Sequence, residues 1–287
     1  MGQLSSCSDG MKNRVTVVAF RKDIFLVPEI KYQVFFNFSR NQDMLNPFWN
    51  ILFHFYKSIK RVDFIILVDC SEGFASGFYD RAHTDFMIQP TSSAPFSVHC
   101  YMVDGGLTFI QKNSIWVDGP LVSFNRSWQE YVDGFGDLEK GHWIGLKHIY
   151  EITTGRPQDL HIFLIAKPSW SNASIVYENF QVQSNYQFTF TNTRFDTQWH
   201  LGDCLSSLRN TDFSTVDKYK DDITTENCVE QQNSGWWFNP DCSGCNPNGN
   251  ISGVRSNTGA FWSGYYASET VKSKYCHFII FYSLSNI

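Results

Sequence analysis

Phe124-Asn125-Arg126-Ser127-Trp128-Gln129-Glu130-Tyr131-Val132-Asp133-Gly134-Phe135-Gly136 is the stretch on which the reading of this chain turns. Ser127 and Glu130 have capping-box spacing, in which each side chain satisfies a backbone N–H that the first helical turn leaves free. Trp128, Tyr131 and Phe135 recur at i, i+3 and i+7, the stripe of an amphipathic helix. Gly134 and Gly136 then supply a stop. The residues predict a short helix that lays an aromatic stripe on a neighbouring sheet.

The sheet is legible on both sides of that helix. Strand-sized runs at residues 96–102, 107–111 and 160–166 are separated by turn residues, and 186–191 alternates apolar and polar side chains with period two. After Cys204 regular patterns give way to Gly, Asn, Asp and Ser, so backbone shape there must come from turns, bridges or bound ions. That loop-rich third is where function is expected. Residues 1–66 are apolar in patches. Phe48-Trp49-Asn50-Ile51-Leu52-Phe53-His54-Phe55-Tyr56 resembles a buried or partner-facing helix, but the segment has no assignable fold. No internal repeat is present, which excludes solenoids and propellers.

Composition narrows the function classes. Aromatic residues make up 17% of the 287 and charged residues 18%, the balance of a packed globular body. A net charge of -5 argues against nucleic acid, which needs a basic face. No apolar run reaches the roughly 18 residues of a membrane span. No secretory leader is readable, because residues 15–20 are cut off by Arg21-Lys22-Asp23. Secretion is expected instead from eight cysteines, Cys7, Cys70, Cys100, Cys204, Cys228, Cys242, Cys245 and Cys276, an even number suited to an oxidising compartment. Sequons at Asn37, Asn125, Asn172 and Asn250 point the same way. Cys242-Ser243-Gly244-Cys245 is formally a C-x-x-C. With no second such pair and no suitably spaced histidines it reads as structural rather than redox-active or zinc-binding. There is no Gly-x-Ser-x-Gly elbow, phosphate-cradling loop or His-Glu-x-x-His pair, so no enzyme is expected.

The quoted stretch, followed by Trp143-Ile144-Gly145-Leu146, resembles the core signature of fibrinogen C-terminal domains. Flanking matches run in the same order: Asp69-Cys70-Ser71-Glu72, Gly105-Gly106-Leu107-Thr108-Phe109, Phe213-Ser214-Thr215-Val216-Asp217, Asn227-Cys228, Gly235-Trp236-Trp237-Phe238 and Asn246-Pro247-Asn248-Gly249. Leu107 and Pro247 stand where the family usually has Trp and Leu. The resemblance covers nearly all of the chain from Asp69 onward. It implies an α+β fold with a central, mainly antiparallel sheet, short helices and a loop-rich C-terminal subdomain stapled by disulfides. The expected organisation is an N-terminal segment 1–66, then a domain 67–287. Within that domain, 67–110 form a small N-terminal subdomain, 111–203 the central sheet, and 204–287 the ligand and calcium subdomain, with the last strand returning to the sheet.

By resemblance Cys70 pairs with Cys100 and Cys228 with Cys242, while Cys7, Cys204, Cys245 and Cys276 have no family partner and allow three connectivities. The family's Asp-x-Asp-x-Asp calcium loop is lengthened here by Tyr219 and Lys220. The resemblance therefore implies a weakened calcium site of Asp221, Asp222 and the carbonyls of Thr224 and Glu226. The ligand pocket of similar lectins maps beside Cys242. Gln231, Gln232, Asp241 and Ser243 would be its polar groups, and Trp237, Phe238, Trp262, Tyr265 and Tyr266 its aromatic walls, able to hold an acetyl group. Ser243 replaces the histidine that often follows the bridge cysteine. The expectation is a secreted lectin-like recognition protein that binds acetylated sugars in innate defence, as ficolins and tachylectins do. The alternative is a protein-binding adhesion or signalling module of angiopoietin or tenascin type. Its partner would be an extracellular glycan or a cell-surface protein. Residues 1–66 carry neither collagen-like repeats nor heptads, so a homo-oligomer would have to form through that segment or a spare cysteine.

Overall fold

A computed structural model describes residues 67–77, 79, 81–90, 93–103, 105–114, 120–166, 171–195, 201–219, 223–251, 259–262 and 276–278. The chain divides into Met1–Ile66 and Leu67–Ile287, and the described residues belong to the second unit. Helix α1 (Cys70–Ser76) starts at Asp69, whose carboxylate accepts the N–H groups of Ser71 and Glu72. The other oxygen of that carboxylate, buried with it, lies 2.7 Å from the Arg156 guanidinium. The helix faces an antiparallel sheet of β1 (His83–Ile88), β2 (Phe96–Tyr101) and β3 (Leu107–Phe109). The Cys70–Cys100 disulfide fastens helix to sheet, with Cα atoms 5.6 Å apart.

A second small sheet joins β4 (Gln111–Lys112), β5 (Phe135–Gly136) and β6 (His142–Trp143), with β6 in the middle. Between β4 and β5 comes helix α2 (Trp128–Asp133), and after β6 comes α3 (Leu146–Gly155). The main sheet is antiparallel. Its strands are β7 (Gln158–Ala166), β8 (Ser171–Val182), β9 (Phe188–Thr189), β10 (Asn192–Phe195) and β13 (Cys276–Phe278). Strand order is β10-β8-β7-β13, with β9 also on β8, so β13 comes back from the far end of the chain to β7. Leu160, Ile162 and Leu164 lie opposite Tyr177, Ile175 and Ala173, and all six are buried. Period-two alternation thus puts one apolar face inward. Helix α3 lies along β8, and the Thr153 hydroxyl accepts the Val182 N–H at 3.1 Å while donating to the Ile149 carbonyl. No helix among the described residues is long and apolar enough to cross a membrane.

The capping box of α2 is present as expected, with both Ser127–Glu130 contacts made. The aromatic stripe differs. Gly134 adopts φ +94°, where a Cβ would lie 2.5 Å from the Ile144 carbonyl oxygen, so the helix ends at Asp133 and Phe135 falls in β5. Tyr131 does not lie on the main sheet either. Fully buried, its hydroxyl donates to the Phe124 carbonyl at 2.7 Å and accepts the Gly235 N–H at 3.1 Å. The Tyr131 carbonyl accepts the Trp143 indole N–H at 2.9 Å. Tyr131, Trp143, Phe213 and Trp237 pack as tilted and edge-to-face rings, the arrangement aromatic quadrupoles prefer. The expected strand at 186–191 is also shorter. Tyr186 sits at φ +64° in a turn closed by its N–H to the Gln183 carbonyl, which leaves only β9 extended.

The C-terminal third holds helix α4 (Ile223–Gln232), a 3-10 turn (Leu205–Leu208) and the two-residue strands β11 (Cys245–Asn246) and β12 (Phe261–Trp262). The Cys228–Cys242 bridge expected from the resemblance is formed. The connectivity left open resolves in part, since Cys204 joins Cys245 with Cα atoms 6.1 Å apart. Both cysteines of the C-x-x-C are therefore committed to other partners. Cys7 lies outside the described residues, and of Cys276 only the backbone in β13 is described. Buried amides replace regular structure here. Gln111 donates to Asn248 at 2.7 Å, Asn113 donates to the carbonyls of Pro247 and Gly249, and Asn248 donates to Gly235 at 2.9 Å.

Three outcomes follow from this packing. Tyr131→Phe keeps the ring but leaves the Gly235 N–H and the Phe124 carbonyl without their buried partner. It should destabilise by about 1–3 kcal/mol in urea unfolding. Non-reducing peptide mapping should recover a Cys204–Cys245 crosslink, and its loss should cost about 4 kcal/mol in the chain-entropy model. Burial lowers the His142 pKa from 6.5 to about 4, since the interior disfavours imidazolium. Because the folded value lies below the unfolded one, this group's stabilisation is complete above pH 6.5. It is lost as pH falls toward about 4, by roughly 3 kcal/mol in all. His142→Asn should flatten that part of the pH–stability curve.

Candidate functional site

Helix α4 carries Cys228 to meet Cys242, and the bridge fastens the middle of the helix to the turn at residues 239–243. The Cys242 N–H donates to the Asn239 carbonyl at 3.0 Å, and Cys242 itself takes φ +56°, a left-handed conformation uncommon outside glycine. The Asp241 carboxylate accepts the Ser243 N–H at 3.1 Å, and the Ser243 hydroxyl accepts from the Asn239 amide at 3.0 Å. Hydrogen bonds from the Ser243 hydroxyl and then its N–H hold the Asp241 carboxyl below its ordinary pKa, so it stays an anion. Asp241 and Ser243 are exposed on one side of the bridge and Gln231 on the other. Gln232 is buried, and its Oε1 has no hydrogen-bond partner.

The aromatic walls expected for an acetyl pocket are elsewhere. Trp237 is 3% exposed and donates its indole N–H to the Tyr186 carbonyl at 2.7 Å. Trp262 is 1% exposed and donates to the Gly202 carbonyl. Phe238 is buried as well. These rings are core, with their polar handles spent on backbone carbonyls, because the loop-rich third has little else to exclude water from its interior. The structure therefore puts Trp237 and Trp262 in the core, groups Asp241, Cys242 and Ser243 in one turn, and ties that turn by the Cys228 bridge to the helix that carries Gln231 and Gln232. Tyr265 and Tyr266 lie outside the described residues.

Of the four expected calcium ligands, only Thr224 and Glu226 fall among the described residues. Asp221 and Asp222 lie outside the described residues, but Thr224 and Glu226 are in α4. In a helix the carbonyl of residue i accepts from i+4, which commits the Thr224 and Glu226 carbonyls to the backbone. Among the described residues, no three His, Cys, Asp or Glu side chains converge as a metal site. Of the sequons, Asn37 lies outside the described residues and Asn172 is described only as backbone in β8. Asn125 and Asn250 are exposed, and the Asn125 amide donates to Asn233 at 2.8 Å.

That contact ties the rim at Gln231 to the start of α2, where a second surface feature begins that the sequence reading did not single out. Asp217 accepts both the Trp128 N–H and the Thr215 hydroxyl at 2.8 Å, satisfying an N–H that the first helical turn leaves free. Thr215 and Lys218 close a two-residue turn by exchanging backbone hydrogen bonds. The Lys218 ammonium lies 3.5 Å from the centre of the Trp128 ring, a cation–π contact. The turn presents Val216, 51% exposed, and Tyr219, 37% exposed. Val216 within that turn and Tyr219 just after it are the exposed apolar side chains, and only the register of Thr215 against Lys218 makes the tip visible.

The relatives agree with this architecture. Human Fibrinogen-like protein 1 is 34% identical over 218 residues, covering 70% of this chain and 64% of its own length. Human Tenascin-N is 30% identical over 212 residues, covering 70% of this chain but 15% of its own. The chain thus spans just under two-thirds of the first relative and a small part of the second. The fibrinogen-like globe domain of human ANGPTL2 superposes with TM-score 0.65 at 24% identity, covering 77% of this chain and all of that one. The model of the C-terminal globular domain of fibrinogen beta and gamma chains matches residues 66–279. With that match across most of its length, one disulfide fastening α1 to β2 and two more within the loop-built third, the chain belongs to the fibrinogen C-terminal domain family.

Proposed function

We propose that this chain is a secreted recognition module that binds a protein at the cell surface or in the extracellular matrix, in adhesion or signalling. Its relatives are fibrinogen-like, tenascin and angiopoietin-like proteins, and its disulfides suit an oxidising compartment. The observation that carries the reading is the surface around the start of α2. There an apolar tip of Val216 and Tyr219 lies beside the Lys218–Trp128 pair, and the Asn125–Asn233 contact ties the segment leading into α2 to the end of α4, near the exposed Gln231. Apolar and aromatic anchors ringed by polar groups characterise protein interfaces, whereas an acetyl pocket needs open aromatic walls, which Trp237 and Trp262 do not provide. The polar rim alone still offers hydrogen bonds to a sugar, and the test separates the two ligands.

The labelled full chain, secreted from cultured cells, should bind target cells. Binding should be abolished by mild trypsin treatment of those cells and retained after enzymatic removal of their glycans. Val216→Asp and Tyr219→Ala should each weaken it by about tenfold or more, as truncation of interface anchors does. Binding that survives trypsin, is competed by N-acetylglucosamine and ignores both variants would replace the protein partner with a glycan.

A further inference from the structure

The β1–β2 pairing assembles a chain of polar side chains that lies apart from the C-terminal rim. Register places His83 opposite Tyr101 and Asp85 opposite His99, so alternation puts all four on one face. Asp85 Oδ1 is 2.7 Å from His99 Nδ1. Because the carboxylate can only accept, Nδ1 carries the proton and Nε2 of neutral His99 keeps a lone pair. That Nε2 lies 3.3 Å from His83 Nδ1. The side chain of His99 is 8% exposed, whereas His83 is exposed and gives access from solvent. The rings of Tyr101 and Phe109 pack on His83 at 4.8 and 6.1 Å and fix its plane. The nearby Lys112 turns its ammonium to the Glu139 carbonyl at 2.8 Å.

We propose that His83 and His99 hold a divalent transition metal ion of the imidazole-preferring class, such as Zn2+, between Nδ1 of the first and Nε2 of the second. Two nitrogens each about 2.05 Å from a tetrahedral ion lie about 3.3 Å apart, which is the separation the pair already has. Asp85 stands in the position that a carboxylate takes behind a metal-bound histidine, where it fixes the tautomer and raises the basicity of the ligating nitrogen. Binding needs no net proton release: the proton His83 shares through Nδ1 passes to its Nε2, and the ion takes the freed lone pair. With two protein nitrogens the site is open, and water or a group from another molecule fills the remaining positions.

Calorimetric titration of the full chain with zinc chloride, with imidazole resonances followed by NMR, tests the assignment. One ion per chain should bind, with the His83 and His99 resonances shifting together. His83→Ala, at an exposed position that folding tolerates, should abolish that binding, and Asp85→Asn should weaken it by about 10- to 100-fold. His148→Gln, which alters a histidine paired with Glu151 elsewhere on the surface, should bind as the parent does. A His83→Ala chain that takes up zinc like the parent, or a parent whose His83 and His99 resonances do not move, would overturn the proposal.

Discussion

Taking a phenol out of water is costly unless its oxygen both donates and accepts a hydrogen bond, and Tyr131 does both within a core that excludes solvent. The two partners come from opposite directions in sequence, the carbonyl of Phe124 just before α2 and the N–H of Gly235 more than a hundred residues later. Gly235 is close enough that a Cβ there would meet the Tyr131 ring at 2.5 Å. The Tyr131 backbone carbonyl takes the Trp143 indole at the same time. One residue therefore joins helix, small sheet and loop-rich third. Burial drives its pKa well above the ordinary phenol range, so the neutral donor persists. The rim and the tip both depend on this junction, because Asp217 and Asn233, which frame them, bond to the ends of the segment that leads into α2.

Local chemistry was legible in the residues. The capping box needed only Ser127 and Glu130 at the right spacing, and the β7 strand only its run of apolar side chains. Resemblance located the Cys70–Cys100 and Cys228–Cys242 bridges. What escaped depended on tertiary placement. The alternation at 186–191 is real, but Gln183 and Tyr186 close a turn that consumes its first residues. Trp237 and Trp262 have the composition of a pocket wall and the position of a core, a difference that no spacing encodes. Cys204 and Cys245 meet only once β11 is laid beside β12 and the 3-10 turn is in place. His83, Asp85 and His99 align only when β1 and β2 take their register.

The withdrawal of the tryptophans changes what kind of surface the C-terminal third offers. With its indoles turned inward to the carbonyls of Tyr186 and Gly202, the outer layer consists of short polar side chains on a stapled turn and an apolar tip on a hairpin. Rigid backbone with small, exchangeable side chains can change partners without disturbing the core that supports it.

The two C-terminal bridges are nested, with Cys228–Cys242 lying wholly inside the span closed by Cys204–Cys245. A chain pulled from its two ends would pass tension from residue 204 straight to 245 through sulfur. Everything between them, from the hairpin tip to the polar rim, would hang slack beside the line of force. That surface would keep its shape while the rest of the molecule was under load.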